Sequence, residues 1–147
     1  AVTCRVAPHH FPQVAQFVRE AARVVKPGGV VAVVDQLTPG DPNTAAYVNA
    51  FERLRDPSHN WAYNRTEWEG YFVGAGLEVN HYARFKVQQN LTDWAERMGC
   101  DALMITRLRA MLFHAPRPVA DWMQPHVPQI GDAHFVIRQF LMVGRKP

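Results

Sequence analysis

The sequence predicts an α/β fold in which a sheet is flanked by helices, all within one domain spanning residues 1–147. Three observations carry that expectation. A β-branched segment at Val2–Ala7 leads into an amphipathic helix and then into an unbroken apolar run at Val30–Asp35, the pattern of a strand–helix–strand unit. Residues Leu77 to Val87 alternate between apolar and polar, as a strand with one wet face does. Residues Ala133 to Val143 form a second apolar strand that fits inside the sheet beside the alternating one. With 147 residues, 48% of them hydrophobic, the chain is long enough for one ordinary core and too short for two.

Each element has a local cause. Pro8 stops the first strand, and after the loop His9-His10-Phe11, Pro12 suits a first helical position. Val14, Phe17, Val18, Ala21, Ala22 and Val25 then recur at helical spacing, with Arg19, Glu20 and Arg23 opposite. Lys26-Pro27-Gly28-Gly29 ends that helix. The run Val30–Asp35 lacks alternation, as expected of a parallel strand covered on both faces. Residues Leu37 to Thr44 read as a loop beyond the strand's carboxyl end, where α/β folds keep their ligand crevice.

A helix from about Ala45 to Arg55 follows, burying Tyr47, Val48, Phe51 and Leu54, and Asp56-Pro57 stops it. Thr66 and Glu69 have the spacing of a capping box at the next helix, which Gly74 and Gly76 close. Thr92 and Asp101 each suit an N-cap, the second heading a helix with Leu103, Met104, Leu108, Met111 and Leu112 on its apolar face. Pro116, Pro118, Pro125 and Pro128 mark an irregular connection, so residues 91–128 read as a helical insertion before the final strand.

Composition narrows the function classes. A formal net charge of +3 with scattered basic residues describes a solvated surface, and the Arg107, Arg109, Arg117 group lacks interleaved aromatics, so no nucleic-acid partner is expected. Two cysteines, Cys4 and Cys100, make no disulfide framework and suit a reducing cytoplasm. No apolar run reaches the length of a membrane span, so no membrane partner is expected. His9-His10 lack the spaced cysteine and histidine partners of a zinc site, and no metal is expected. Without a dinucleotide fingerprint, a dehydrogenase-like nucleotide fold is disfavoured.

The ordered set of the Val2–Asp35 unit, His9-His10-Phe11, the segment Glu20 to Gly29 ending in Lys26-Pro27-Gly28-Gly29, and Val33-Val34-Asp35 resembles class I S-adenosylmethionine-dependent methyltransferases, in the branch that includes the ubiquinone/menaquinone-biosynthesis enzymes. The segments Thr66 to Phe72 and Gly74 to Val79 match that family's next helix and strand in order. The resemblance implies a partial Rossmann-like sheet, with Val2–Ala7 as strand four, Val30–Asp35 as strand five, Leu77–Val87 as strand six and the C-terminal strand as an antiparallel strand seven between five and six. It further implies that the family's first three strands, with the glycine-rich turn and the acidic ribose-binding residue, precede Ala1, and that this chain is the C-terminal half of a longer parent.

By the same resemblance the cofactor is S-adenosylmethionine, with Arg5, Val6 and Ala7 beside its methionine part, and the substrate is a small-molecule methyl acceptor faced by His9, His10 and Phe11. Methyl transfer is an in-line displacement from an activated sulfonium, so the protein mainly aligns the acceptor, and a histidine here can take the acceptor's proton. His9 and His10 are therefore the candidate catalytic residues, with loop hydrogen bonding as the alternative role. Phe11 and Asp35 are the candidate substrate contacts; Asp35 either lines the crevice or caps the following loop. Trp61, Tyr63 and Trp68 form either an acceptor lid or core, and Cys4 reads as packing rather than as a nucleophile. An unpaired edge at Val2–Ala7 offers a template for a second copy, so a homodimer, with the chain as a catalytically silent fragment, is the competing expectation.

Overall fold

The computed structural model describes every residue from Ala1 to Pro147. Strand β1 (Val2–Arg5) leads through a 3-10 turn (Pro8–His10) to helix α1 (Val14–Val24) and strand β2 (Val30–Gln36). Helices α2 (Pro42–Arg55) and α3 (Arg65–Gly74) precede strand β3 (Glu78–Asn90). Helices α4 (Leu91–Glu96), α5 (Ala102–Phe113) and α6 (Arg117–Met123) then separate β3 from strand β4 (His134–Arg145). The sheet order is β1-β2-β4-β3, with β1 parallel to β2 and β4 antiparallel to both of its neighbours. That is the arrangement the resemblance implies.

The sheet carries a core on each face, and β4 serves both. Phe140 and Met142 pack with Val31 and Val33 of β2, with Val18 of α1, and with Trp68 and Phe72 of α3. Phe135 and Ile137 pack instead with Phe51 of α2, Trp94 of α4, and Leu108 and Leu112 of α5. Successive strand side chains point to opposite faces, so odd-numbered Phe135 and Ile137 and even-numbered Phe140 and Met142 lie on opposite sides. The register repeats the rule on β2. Val33 is opposite Met142 and Asp35 opposite Phe140, which puts Asp35 on the α1 side and its neighbour Gln36 on the α2 side. Helix α3 lies so close to β4 that a Cβ on Gly144 would stand 2.5 Å from Cδ1 of Phe72.

Several expectations shift in detail. The first strand ends at Arg5 rather than Ala7, because Val6 turns out of the sheet at φ 49°, although its amide still donates to the Val34 carbonyl at 2.8 Å. Helix α2 begins at Pro42 rather than Ala45, because Asp41 accepts from both the amide and the hydroxyl of Thr44 and Pro42 supplies the first turn. The capping box at α3 is formed by Asn64 and Glu67, not Thr66 and Glu69. Asparagine is the stronger N-cap, which leaves Thr66 inside the first turn and Glu69 paired with Arg65 at 2.7 Å.

A bulge between Val79 and His81 shifts the phase of β3. Val79 and Tyr82 therefore both pack on the α1–α3 core, while Phe85, expected on the inner face, is exposed. The proline-rich connection holds helix α6, with Pro116 and Pro118 in the positions of its start that need no amide donor. Trp68 is core rather than lid, and its indole N–H is buried without a partner. No helix is long and apolar enough to cross a membrane.

Candidate active site

The chain's densest group of buried polar side chains lies beyond the carboxyl ends of β1 and β2, at the position where open α/β sheets bind ligands. It is assembled by the turn that follows β1. Val6 redirects the chain, Pro8 sets the first residue of the 3-10 turn, and His9 is thereby carried under the sheet edge, where it is 5% exposed. His9 Nδ1 lies 2.5 Å from Oδ1 of Asp35, which is 1% exposed. The backbone of His9 is held as well, its carbonyl accepting from the amides of Asn60 at 2.9 Å and Trp61 at 3.0 Å.

That geometry has a chemical consequence. A carboxylate oxygen accepts, so Nδ1 of His9 donates to Asp35, and the tautomer this sets leaves the lone pair for Nε2. Nε2 has no hydrogen-bond partner in the chain, and it is not among the fully buried unpartnered atoms, so it keeps contact with solvent. A carboxylate that orients an imidazole while leaving its far nitrogen without a partner is the arrangement of a general base.

His10 faces the other way. Its Nδ1 is 3.0 Å from the Ser58 carbonyl and 3.2 Å from the Ser58 hydroxyl, with Asp56 4.0 Å from Nε2. Burial pushes Asp56 up, but the Ser58 hydroxyl and amide outweigh that and hold its carboxyl below the usual range. Phe11 packs edge-on against Phe17 at 5.1 Å, and its carbonyl accepts from Asn60 at 2.8 Å. Asp35 is engaged by His9 rather than capping the loop. Arg5 and Val6 are exposed at the end of β1, and Ala7 is half-buried.

Beneath the histidines, α2 contributes polar groups absent from the expected set of site residues. Asn49, fully buried, donates to the carbonyls of Ala45 and Ala62 and accepts from the Ala62 amide at 2.6 Å and from His59 Nε2 at 2.8 Å. His59 is held neutral, its pKa lowered to about 3 by burial and by the neighbouring His9 and Arg53. Its ring lies 5.4 Å from that of His9, whose other face meets His10 at 4.1 Å. Glu52, 3% exposed, is pushed up to about 7 by burial, against the pull of Arg55, of a hydrogen bond with Gln36 and of His9. Asn49, Glu52 and Asp56 recur at three- and four-residue steps along one face, and that spacing is the signal in the sequence that marks them.

A cavity of about 510 Å³ lies between the loop that follows β2, the first turn of α3 and the middle of β3, and none of the residues of this polar group lines it. As for an S-adenosylmethionine cofactor, Val6 and Ala7 offer an open main-chain ledge at the end of β1, which fits one side of such a molecule. The chain contains no glycine-rich turn after a strand to hold the methionine part, so the fit extends to that side alone.

Comparison with known proteins points the same way as the geometry. Residues 1–33 match the methyltransferase domain family. The chain is 33% identical over 146 residues to the uncharacterised methyltransferase YcgJ of Bacillus subtilis, covering 99% of this chain and 58% of that protein. It is 32% identical over 108 residues to the uncharacterised protein YafE of Escherichia coli, covering 74% of this chain and 52% of that protein. The chain thus spans little more than half the length of these curated relatives. A solved structure from Bacillus halodurans assigned as a methyltransferase superposes with a TM-score of 0.94 at 32% identity, covering 99% of this chain and 68% of that one. The crystal structure of YcgJ superposes with a TM-score of 0.92 at 31% identity, covering 99% and 63%.

Proposed function

This chain belongs to the class I S-adenosylmethionine-dependent methyltransferases, and we propose that its full-length parent transfers a methyl group to a small-molecule acceptor, with His9 as the proton-accepting residue. The observation that carries this reading is the buried His9–Asp35 pair at 2.5 Å beyond the carboxyl ends of β1 and β2, with Nε2 of His9 left without a partner in the chain. The cofactor, when bound, supplies a methyl group already activated on a sulfonium.

The chain's own residues do the rest. The acceptor is held with its nucleophilic atom in line with the methyl carbon. The acceptor's proton would pass to Nε2 of His9, and Asp35 would stabilise the imidazolium that results. Val6 and Ala7 flank the methionine side, with Arg5 at its rim, while His10, held by Ser58, fixes the turn that presents His9. Phe11 and Phe17 wall a shallow depression on the outer side of that turn, where Phe11 serves as an outlying acceptor contact. Free thiols at Cys4 and Cys100 suit a reducing cytoplasm.

The test is transfer of labelled methyl from S-adenosylmethionine by the full-length parent across a panel of small nucleophiles, with affinity for S-adenosylhomocysteine measured in parallel. His9→Gln is expected to lower transfer on the order of 10²- to 10⁴-fold with cofactor affinity unchanged. A parent that binds neither cofactor form contradicts the proposal.

A second reading is favoured by one observation, that β1 lies at the edge of the sheet with one side unpaired. On this reading the chain associates with a second copy through Val2–Arg5 and is itself silent. A concentration-independent monomer in light scattering rules it out.

A further inference from the structure

The cavity between the loop that follows β2, the first turn of α3 and the middle of β3 is lined by Arg65 and Arg84 and by no aspartate or glutamate. A second cavity of about 350 Å³ adjoins it, shares Arg84, and is lined otherwise by Phe85, Lys86 and Arg138, again without an acid. Arg65 is already paired with Glu69 at 2.7 Å, as Arg23 is with Glu20. Arg84, Lys86 and Arg138 have no carboxylate within ion-pair distance. Arg138 is lowered by burial and by the positive charge of Arg84, so these guanidiniums repel each other in the free protein.

Two of the cations are also fixed in place by aromatic rings. Arg65 lies over Tyr82 at 4.4 Å, and Arg138 over Trp122 at 4.6 Å, with its Nε donating to the Trp122 carbonyl at 3.0 Å. A concave site of small-molecule size, lined by Arg65 and Arg84 together with Tyr82 and Trp122, starts at Leu37, two residues beyond Asp35.

We propose that this cavity is a binding subsite for a small aromatic acid, a carboxylate or phosphate ester whose anionic group is held by Arg84 and Arg65 and whose ring lies against Trp122 and Tyr82. Where methyl transfer is the parent's reaction, on which this part of the inference rests, that acid is the class of acceptor.

Titration of the chain with phenyl phosphate, benzoate and the neutral benzyl alcohol tests the site without cofactor, read by Trp122 fluorescence and by calorimetry. At least one of the two anions is expected to bind more tightly than benzyl alcohol, and which one wins distinguishes a phosphate ester from a carboxylate ligand. Arg84→Gln is expected to weaken that anion's Kd about tenfold, about 1.4 kcal/mol, and Arg84→Glu to abolish binding. Arg107→Gln, on the exposed surface of α5, is expected to change nothing.

Anions that bind no better than benzyl alcohol, or equal losses in the Arg84 and Arg107 variants, overturn the site. A single-stranded oligonucleotide that binds more tightly than either small anion and is lost with Arg84→Glu overturns the small-molecule assignment. Failure of anion binding alongside intact S-adenosylhomocysteine binding in the parent strikes this site alone. Loss of cofactor binding with anion binding preserved strikes the methyl-transfer reading instead.

Discussion

Glu52 makes the buried network sensitive to pH, and replacing it with glutamine should flatten that dependence. Its carboxyl is pushed up from the ordinary glutamate value of 4.5 to about 7 by burial. A carboxyl whose pKa rises on folding holds its proton more tightly in the folded chain, so its contribution to stability is whole below about pH 4.5 and is lost as the pH rises through about 7. At about 1.4 kcal/mol per unit, that interval corresponds to about 3 kcal/mol. Glu52→Gln keeps the shape and a hydrogen-bonding partner for Gln36 but cannot ionise. Urea denaturation followed by circular dichroism from pH 4.5 to 8.5 should therefore show the variant gaining about 3 kcal/mol on the parent across the range. His59 has the opposite slope, its contribution being present above pH 6.5 and lost as the pH falls toward about 3, but it is common to both proteins and cancels in the difference. Parallel stability curves for the two proteins would refute the assignment of Glu52 as a buried neutral carboxyl.

Two further outcomes concern the scaffold. Gly144→Ala places a methyl 2.5 Å from Phe72 Cδ1 and 3.1 Å from Leu77 Cβ, so thermal or urea unfolding should show a loss of about 1–3 kcal/mol, partly recovered by Phe72→Leu. Val6→Gly relieves a β-branched residue at φ 49° and removes a side chain that packs little, so a gain of about 1 kcal/mol is expected in the same assay; a loss would show that Val6 packs more than its exposure indicates.

The strand–helix–strand unit was legible because it rests on signals of periodicity, namely the helix face from Val14 to Val25, the Pro27-Gly28-Gly29 stop and the apolar run at Val30, whereas the sheet order followed from the resemblance to the methyltransferase family. The competing caps at α3 were resolved by the relative strength of Asn64 and Thr66, two overlapping signals that spacing alone does not rank. The bulge in β3 was hidden because one unpaired residue alters the phase without altering the composition.

The site was legible only as far as single residues go. His9, His10 and Asp35 stood out by type and position, but the division of labour among them comes from the left-handed turn at Val6, which no β-branched residue advertises. Asn49 and Glu52 share a buried helix face with Val48 and Phe51, and polar residues there become visible as a site only once Ala62, Gln36 and His59 arrive from elsewhere in the chain to satisfy them.

The claim that His9 accepts the proton under the control of Asp35 is tested most directly by a double-mutant cycle on kcat/KM for methyl transfer in the full-length parent, using His9→Gln, Asp35→Asn and the combination. Residues that act as one unit are strongly non-additive. The account predicts that the double variant is no slower than His9→Gln alone, with affinity for S-adenosylhomocysteine unchanged in all three. Additive losses, or full activity without His9, would contradict it.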